Sequence, residues 1–333
     1  MLWNEFEQSV REGQLRKVYL FVGPEELKKS EALETLRSVL LPAGLEQLNE
    51  SRFENASAQQ IIDAAETLPV MCDRRLVTVR DWPPFFSAKT KNEDADVQRM
   101  LDYLKNPPET AVILFYLTKE PSDKKWVSEL RKTHGVMFSH LEGQALSKWC
   151  AEQLRGVGKK LQPRAFTLLT DMAGSDLTRL SGELMKLAAY VQNAPEITPD
   201  DVRAVVTPTP EYRAYEILDQ LLNGRITDAV RIVNSVLMGG MNSVQLIVQL
   251  ANALRLDAHV KLAVESGGNA DTALAALGVK GGRAYFIKRQ IRLLPASAFR
   301  TRYLACTQAQ YDVTSGSLRD RAALDALLLK ITV

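Results

Sequence analysis

An α/β half followed by an all-helical half is the fold class predicted by this sequence of 333 residues. Three observations predict it. Over roughly the first 140 residues, short apolar runs alternate with stretches of helical apolar spacing, the pattern of parallel βαβ units in a doubly wound sheet. From about Leu141 the strand signal disappears, and roughly 70 residues read as a small helical domain. From about Pro210 the chain stays helical and is divided by glycines at 224, 239–240, 267–268 and 281–282, enough for a bundle of five or six helices.

The elements follow in order. "KVYLFVG" (17–23) reads as a buried strand, and "PEELKKSEALETLRSVLL" as the helix after it. A short strand is expected around "SRFE". Next comes a helix opened by the capping box Ser57 and Gln60, with Ile61, Ile62 and Ala65 on its apolar face. "RLVTV" (75–79), "AVILFYL" (111–117) and "GVMFSH" (135–140) are three further strands. Pro83, Pro84, Pro107 and Pro108 mark loops. Beyond Leu141, one helix begins at Pro163 and stops at Gly174. The next is capped by Ser175 and carries Leu177, Leu180, Leu184, Leu187 and Val191 at helical spacing. "TPDDVRAVV" starts with Thr198 as cap and Pro199 in the first turn.

Composition bounds the function classes. Apolar and charged fractions of 46% and 25% suit an ordinary globular protein, and a net charge of +2 does not mark the whole surface for nucleic acid or membrane. Cys72, Cys150 and Cys306 are far apart and odd in number, which implies neither a disulfide framework nor a metal knuckle. The start, "MLWNEFEQSVREGQLRK", is charged throughout, unlike a signal peptide or a spanning helix. A soluble, cytoplasmic protein without membrane attachment is the expectation.

"GPEELKKS" is nearly a phosphate-binding loop. Gly23, Lys29 and Ser30 meet the G-x-x-x-x-G-K-[ST] pattern, but Lys28 stands where the second glycine belongs. That glycine lets the backbone approach the phosphates closely, and Lys28 brings a Cβ and a long side chain into the space. A phosphate-transfer site also needs carboxylates at the end of a neighbouring strand. "RLVTVRDW" ends near Asp81, followed by Trp82 where a second acid is needed. The residues favour an inactive βα turn whose lysines face solvent, with Glu25 and Glu26 as first-turn acids favouring the helix N-terminus. His134, His140 and His259 are scattered, with no companions at metal-ligand spacing, and Cys72 has no histidine nearby in sequence. No catalytic residue, metal or cofactor is expected.

Five segments, in order over essentially the whole chain, carry a resemblance. They are "KVYLFVGPEELKKSEAL", "ETLPVMCDRRLVTVRDW", "AGSDLTRLSGELMKLAAYV" with its E-L-x-K-L core, "LDQLLNGRITDAVRIVNSVLMGGMNSVQLIVQLANALR" and "YDVTSGSLRDRAALDALLLKI". The combination resembles the delta subunits of the bacterial DNA polymerase III clamp loader, degenerate members of the AAA+ family. In the last segment the family often has lysine before the T/S-G, where this chain has Val313 before Thr314. The resemblance implies a degenerate AAA+ domain at 1–141, a helical lid at 142–210 and a helical collar for oligomerisation at 211–333. It also implies a subunit that does not bind or hydrolyse ATP, non-catalytic by itself within a DNA-directed DNA polymerase (nucleotidyltransferase) holoenzyme.

Family delta subunits grip the ring-shaped β sliding clamp with two apolar side chains and open one of its interfaces. The positions match Val70 and Met71, just after Pro69, where the family commonly has Phe or Leu. Arg74 and Arg75 are candidate rim contacts. Read from the residues alone, Val70 and Met71 favour core positions leading into the strand at Leu76. The implied partners are the clamp, the motor subunits (gamma/tau) and delta-prime in a hetero-pentamer, and primed DNA through the assembled complex. Three alternatives stand beside this, one being a helical scaffold unrelated to replication that shares only the fold and has no affinity for a sliding clamp. A working AAA+ motor would need a sound phosphate loop, paired acids and an S-R-C finger. A delta-prime-like stator would carry the finger and a four-cysteine zinc module, and the sequence contains neither.

Overall fold

A computed structural model describes residues 1–87, 95–279 and 281–332. It divides into two compact units, one of Met1–Leu141 with Asp176–Thr178 and one of Glu142–Ser175 with the chain from Arg179 on.

The first unit is a three-layer α/β structure. Strands β1 (Val18–Val22), β2 (Glu50–Glu54), β3 (Arg75–Arg80), β4 (Ala111–Tyr116) and β5 (Gly135–Met137) form one sheet in the order β2-β3-β4-β1-β5. Every pairing is parallel; Val18 lies opposite Ile113 on β4, and Leu20 opposite Gly135 on β5. All residues of β1 and β4 are buried, as a parallel sheet covered on both faces requires.

One face packs Tyr19, Phe21, Val112 and Leu114 under α1 (Trp3–Arg11) and α2 (Glu26–Leu40). The opposite face packs Val18, Leu20, Val77 and Phe115 under α4 (Ala58–Glu66), α5 (Ala95–Tyr103) and α6 (Lys125–His134); the short α3 is Glu46–Asn49. The Ser57–Gln60 capping box is formed, and Ile61 and Ala65 are buried while Ile62 is half-buried. Helix α1 is absent from the sequence reading. Its signal is the Phe6/Val10 pair, one turn apart and buried. Phe6 meets Tyr19 and Phe21 edge-on at 5.0 and 5.1 Å.

The second unit is helical but not free of strands. Helix α7 is Gly143–Arg155, and Lys160–Leu161 (β6) pairs in parallel with Glu196–Ile197 (β7), a two-residue ladder that falls below any periodicity signal. Helix α8 (Pro163–Ala173) stops at Gly174 at φ 80°, and α10 (Pro199–Val205) has the expected Thr198 cap. Helix α9 (Leu177–Tyr190) buries Leu177, Leu180, Leu184 and Leu187, but it starts one residue later than a Ser175 cap requires.

Among the described residues seven helices follow rather than five or six: α11 (Pro210–Leu222), α12 (Ile226–Met238), α13 (Ser243–Glu265), α14 (Ala270–Ala276), α15 (Gly281–Gln290), α16 (Ala296–Thr314) and α17 (Asp320–Ile331). Counting by those glycines misses the break at Pro295 before α16 and the one at Gly316 before α17. It also misreads Gly281 and Gly282, which open α15 instead of separating helices. A Cβ on Gly282 would lie 2.7 Å from the Asp171 side chain, which accepts the Gly282 N–H.

Among the described residues no helix is long and apolar enough to cross a membrane, and no group of three His, Cys, Asp or Glu is placed to hold a metal ion. The three cysteines are free.

Asp257, on α13, is wholly buried in the helical core, and neither carboxylate oxygen has a hydrogen-bond partner among the described residues. Burial pushes its carboxyl well above the usual range. The folded chain therefore prefers the protonated acid, and its stability falls as pH rises from the unfolded pKa of about 4 through the raised folded value. Asn at this position has no proton to lose. Relative to the native chain, Asp257→Asn is expected to gain stability steadily over the range from about pH 4 upward. Urea unfolding across that range checks this, and a pH-independent difference would refute it.

Candidate functional site

The almost-phosphate loop lies between β1 and α2 and is closed on its own side chains. Gly23 sits at φ 119°, and a Cβ there would lie 2.4 Å from the Phe138 carbonyl oxygen. Its glycine is thus explained by the approach of the chain after β5, without any phosphate. Lys28 lies 4.8 Å from the centroid of the Trp3 ring and pairs with Glu31 at 2.6 Å.

Lys29 is fully buried, and this corrects the expectation that the lysines face solvent. Its Nζ donates to the Glu26 carboxylate and, at 2.6 Å, to the Leu117 carbonyl oxygen. It also stands 5.2 Å from the centroid of the Tyr116 ring. The other Glu26 oxygen accepts from Tyr116 Oη at 3.0 Å. A buried ammonium must be neutralised and hydrogen-bonded, and here carboxylate and carbonyl supply what phosphates would supply in a nucleotide site. Ser30 is exposed.

The acids nearby are equally committed. Glu26 lies in the first turn of α2 as expected, but Glu25 is the buried residue at its N-cap, and one of its oxygens meets His140 Nδ1 at 3.1 Å. Burial pushes the Glu25 carboxyl up, against the pull of His140. Asp81, at φ 45°, accepts from the Thr118 N–H at 2.7 Å and the Thr118 hydroxyl at 2.5 Å, tying the ends of β3 and β4 together. Trp82 is core, its Nε1 donating to Ala56 O at 3.0 Å.

The second feature is the loop from Thr67 to Arg74. Helix α4 already ends at Glu66, before Pro69 can end it, and Thr67 is extended. Leu68, Val70 and Met71 are 73%, 42% and 84% exposed, and Pro69 is half-buried. The core alternative for Val70 and Met71 therefore fails. Met71 is in the left-handed region at φ 56°, a conformation that costs a non-glycine residue about 1–2 kcal/mol. Beside it runs a groove of about 750 Å³, bordered by the C-terminal turn of α2, Leu15 and Arg74.

The base of this loop is rigid. The wholly buried Asn49 accepts the Val70 N–H on Oδ1 at 2.7 Å and donates from Nδ2 to the Val70 carbonyl at 2.9 Å. Next to it, Glu50 Oε1 takes Arg37 Nη2 at 2.8 Å, and Oε2 takes Arg52 Nη2 at 2.7 Å. Burial alone would raise the Glu50 carboxyl; the two guanidiniums outweigh it and hold it below the usual range.

Arg75 is buried, which removes it from any rim. Its guanidinium is spent inward on Thr67 O at 3.3 Å and Ser51 Oγ at 2.9 Å. Arg74 stays half-exposed, reaching toward Leu15 O and Glu109. The sequence reading missed Asn49 and Leu68. Leu68 had a signal, being apolar and beside Pro69; Asn49 had none, because its partner lies 21 residues further along the chain.

In a working phosphate loop, truncating the lysine removes nucleotide binding and leaves the fold almost untouched. Here Lys29→Ala strips the Leu117 carbonyl and Glu26 of their donor and is expected to lose roughly 1–3 kcal/mol of stability. Urea unfolding measures it, and an unchanged midpoint would contradict the internal role of this lysine.

Two family models match the chain: "DNA polymerase III, delta subunit" over residues 19–139, and "DNA polymerase III delta subunit, C-terminal domain" over residues 211–331. DNA polymerase III subunit delta of Bacillus subtilis is 23% identical over 331 residues, 97% of this chain and 95% of the relative. A probable DNA polymerase III subunit delta of Aquifex aeolicus is 22% identical over 213 residues, 62% of this chain and 60% of that one. Among solved structures, the Bacillus subtilis DNA clamp loader delta protein superposes with a TM-score of 0.64 at 22% identity, covering 99% of both chains, which shows a shared fold. With both models matched in order over well over half of its length, the chain belongs to the delta-subunit family of DNA polymerase III.

Proposed function

We propose that this chain is the clamp-gripping subunit of a clamp loader. In this reading Val70 and Met71, leaving Pro69, enter an apolar pocket of the ring-shaped β sliding clamp and hold one ring interface open. Met71 carries the proposal: a methionine 84% exposed on a loop whose neighbouring residue is held by a buried side chain, at the position where the family places its grip. Burying each such side chain contributes about 1.5–3 kcal/mol, and the flexible thioether suits an irregular pocket. Arg74 is the one remaining candidate for a rim contact, where charge acts on association rate more than on affinity.

Ring opening in this scheme needs no bond chemistry. The loop binds the sprung form of the clamp interface better than the closed form, and the difference in affinity shifts the equilibrium. Lys29, occupied by Glu26 and Leu117, supports a subunit that neither binds nor hydrolyses ATP. Three domains are proposed: a degenerate AAA+ domain at 1–141, a lid at 142–210 and a collar at 211–333. The collar would join the motor subunits (gamma/tau) and delta-prime in a hetero-pentamer. Primed DNA would be met through the assembled complex, largely through phosphate attraction.

The test is direct binding of the purified protein to the sliding clamp of the same organism, without nucleotide. Val70→Ala/Met71→Ala is expected to weaken binding by about a hundred-fold or more with an unchanged thermal midpoint. Equal binding by both proteins would move the contact elsewhere, and no binding by either would sink the clamp-gripping role. In parallel, Mg-ATP at about a hundred times a typical nucleotide Kd would stabilise a nucleotide binder by about 2.7 kcal/mol. No shift in thermal midpoint is expected here.

A further inference from the structure

We infer that Asn49 is the positioning residue of the clamp-contact loop, setting the conformation in which Val70 and Met71 are presented. The inference rests on the clamp-gripping role proposed above and adds a residue to it.

Asn49 is the last residue of α3, immediately before β2, and is wholly buried. Its amide makes three hydrogen bonds: Nδ2 donates to Leu45 O at 3.2 Å and Val70 O at 2.9 Å, and Oδ1 accepts from Val70 N at 2.7 Å. Two carbonyls and one N–H fit only one orientation of the amide, so the assignment of its oxygen and nitrogen is fixed by its partners. Both backbone groups of Val70 are thereby taken by a side chain, as a neighbouring strand would take them, yet the Val70 side chain remains 42% exposed.

That double bond acts on Met71. Holding the Val70 carbonyl fixes the peptide plane that leads into Met71, whose left-handed φ of 56° is unfavourable for a β-carbon residue and persists only where its surroundings hold it. Arg75 ties down the flanks through Thr67 and Ser51, so the loop is held at its base and bare at its tip. A loop already in its binding conformation loses less conformational entropy on association, and preorganisation of this kind raises affinity without adding a contact. No other side-chain type fits Asn49 here. Asp has no donor for the two carbonyls, and Gln is one methylene too long for a fully buried site.

The experiment is a double-mutant cycle on the full-length protein, read as clamp affinity. The variants are Asn49→Ala, Val70→Ala/Met71→Ala and their combination, with thermal unfolding and the amide exchange rate of Val70 measured on each. Asn49→Ala is expected to weaken clamp binding on the order of ten-fold and to speed exchange at Val70. In the Val70→Ala/Met71→Ala background, the same change is expected to have almost no effect on affinity, because nothing is left to position. Should Asn49→Ala fold poorly, Asn49→Ser keeps a small polar group that cannot reach both Val70 groups, and the same two results are expected of it.

If Val70→Ala/Met71→Ala weakens binding while the Asn49 variants do not, the positioning inference fails and the clamp-gripping role stands. If the Asn49 effect is equally large with and without the two side chains, Asn49 acts on the fold at large, and the inference again fails. If Val70→Ala/Met71→Ala leaves affinity unchanged, the clamp contact lies outside this loop, and this inference fails with that assignment.

Discussion

Most of the first unit follows from one constraint: a parallel sheet whose central strands are buried on both faces must be covered twice. Every residue of β1 and β4 is inaccessible, so α1 and α2 close one face, and α4, α5 and α6 the other. The crossovers that place those helices send the chain out repeatedly at the ends of the strands, where the β1–α2 turn and the β3–Asp81 corner come together. In α/β sheets that is where ligands bind. What a chain keeps there decides whether it is a machine or a scaffold.

This chain has turned those positions inward. Lys29 is satisfied by Glu26 and Leu117, Glu25 meets His140 on one oxygen, and Asp81 takes both donors of Thr118; Gly23 makes room for the Phe138 backbone. Each group still bears the charge or shape of a phosphate site, and each has a partner from its own chain. Charges this deeply placed would cost several kcal/mol if left unpaired.

The loop after α4 shows the opposite economy. Leu68, Val70 and Met71 leave apolar surface in water, while beneath them the buried Asn49 amide and two Arg75 nitrogens are hydrogen-bonded. Exposed apolar side chains on a held backbone are the arrangement expected of a binding plug. Asn49 and Arg75 make it possible, and neither touches what the loop is proposed to hold.

Pattern and order were the sequence's contribution. The strand runs, the Ser57–Gln60 box, the leucine spacing of α9 and the Thr198 cap are local, set within a few residues by periodicity and hydrogen-bond chemistry, and all were legible except the start of α9. The unusual Lys28 was legible too, as a departure from a pattern, whereas the pair at 70–71 was marked by the resemblance alone. Long-range partnership was not. That Lys29 is buried, that Arg75 points inward and that Asn49 holds Val70 depend on contacts 88, 24 and 21 residues away in sequence. Residue types announce what a side chain is able to bond, but only the folded chain decides which groups come within reach and which are left to water.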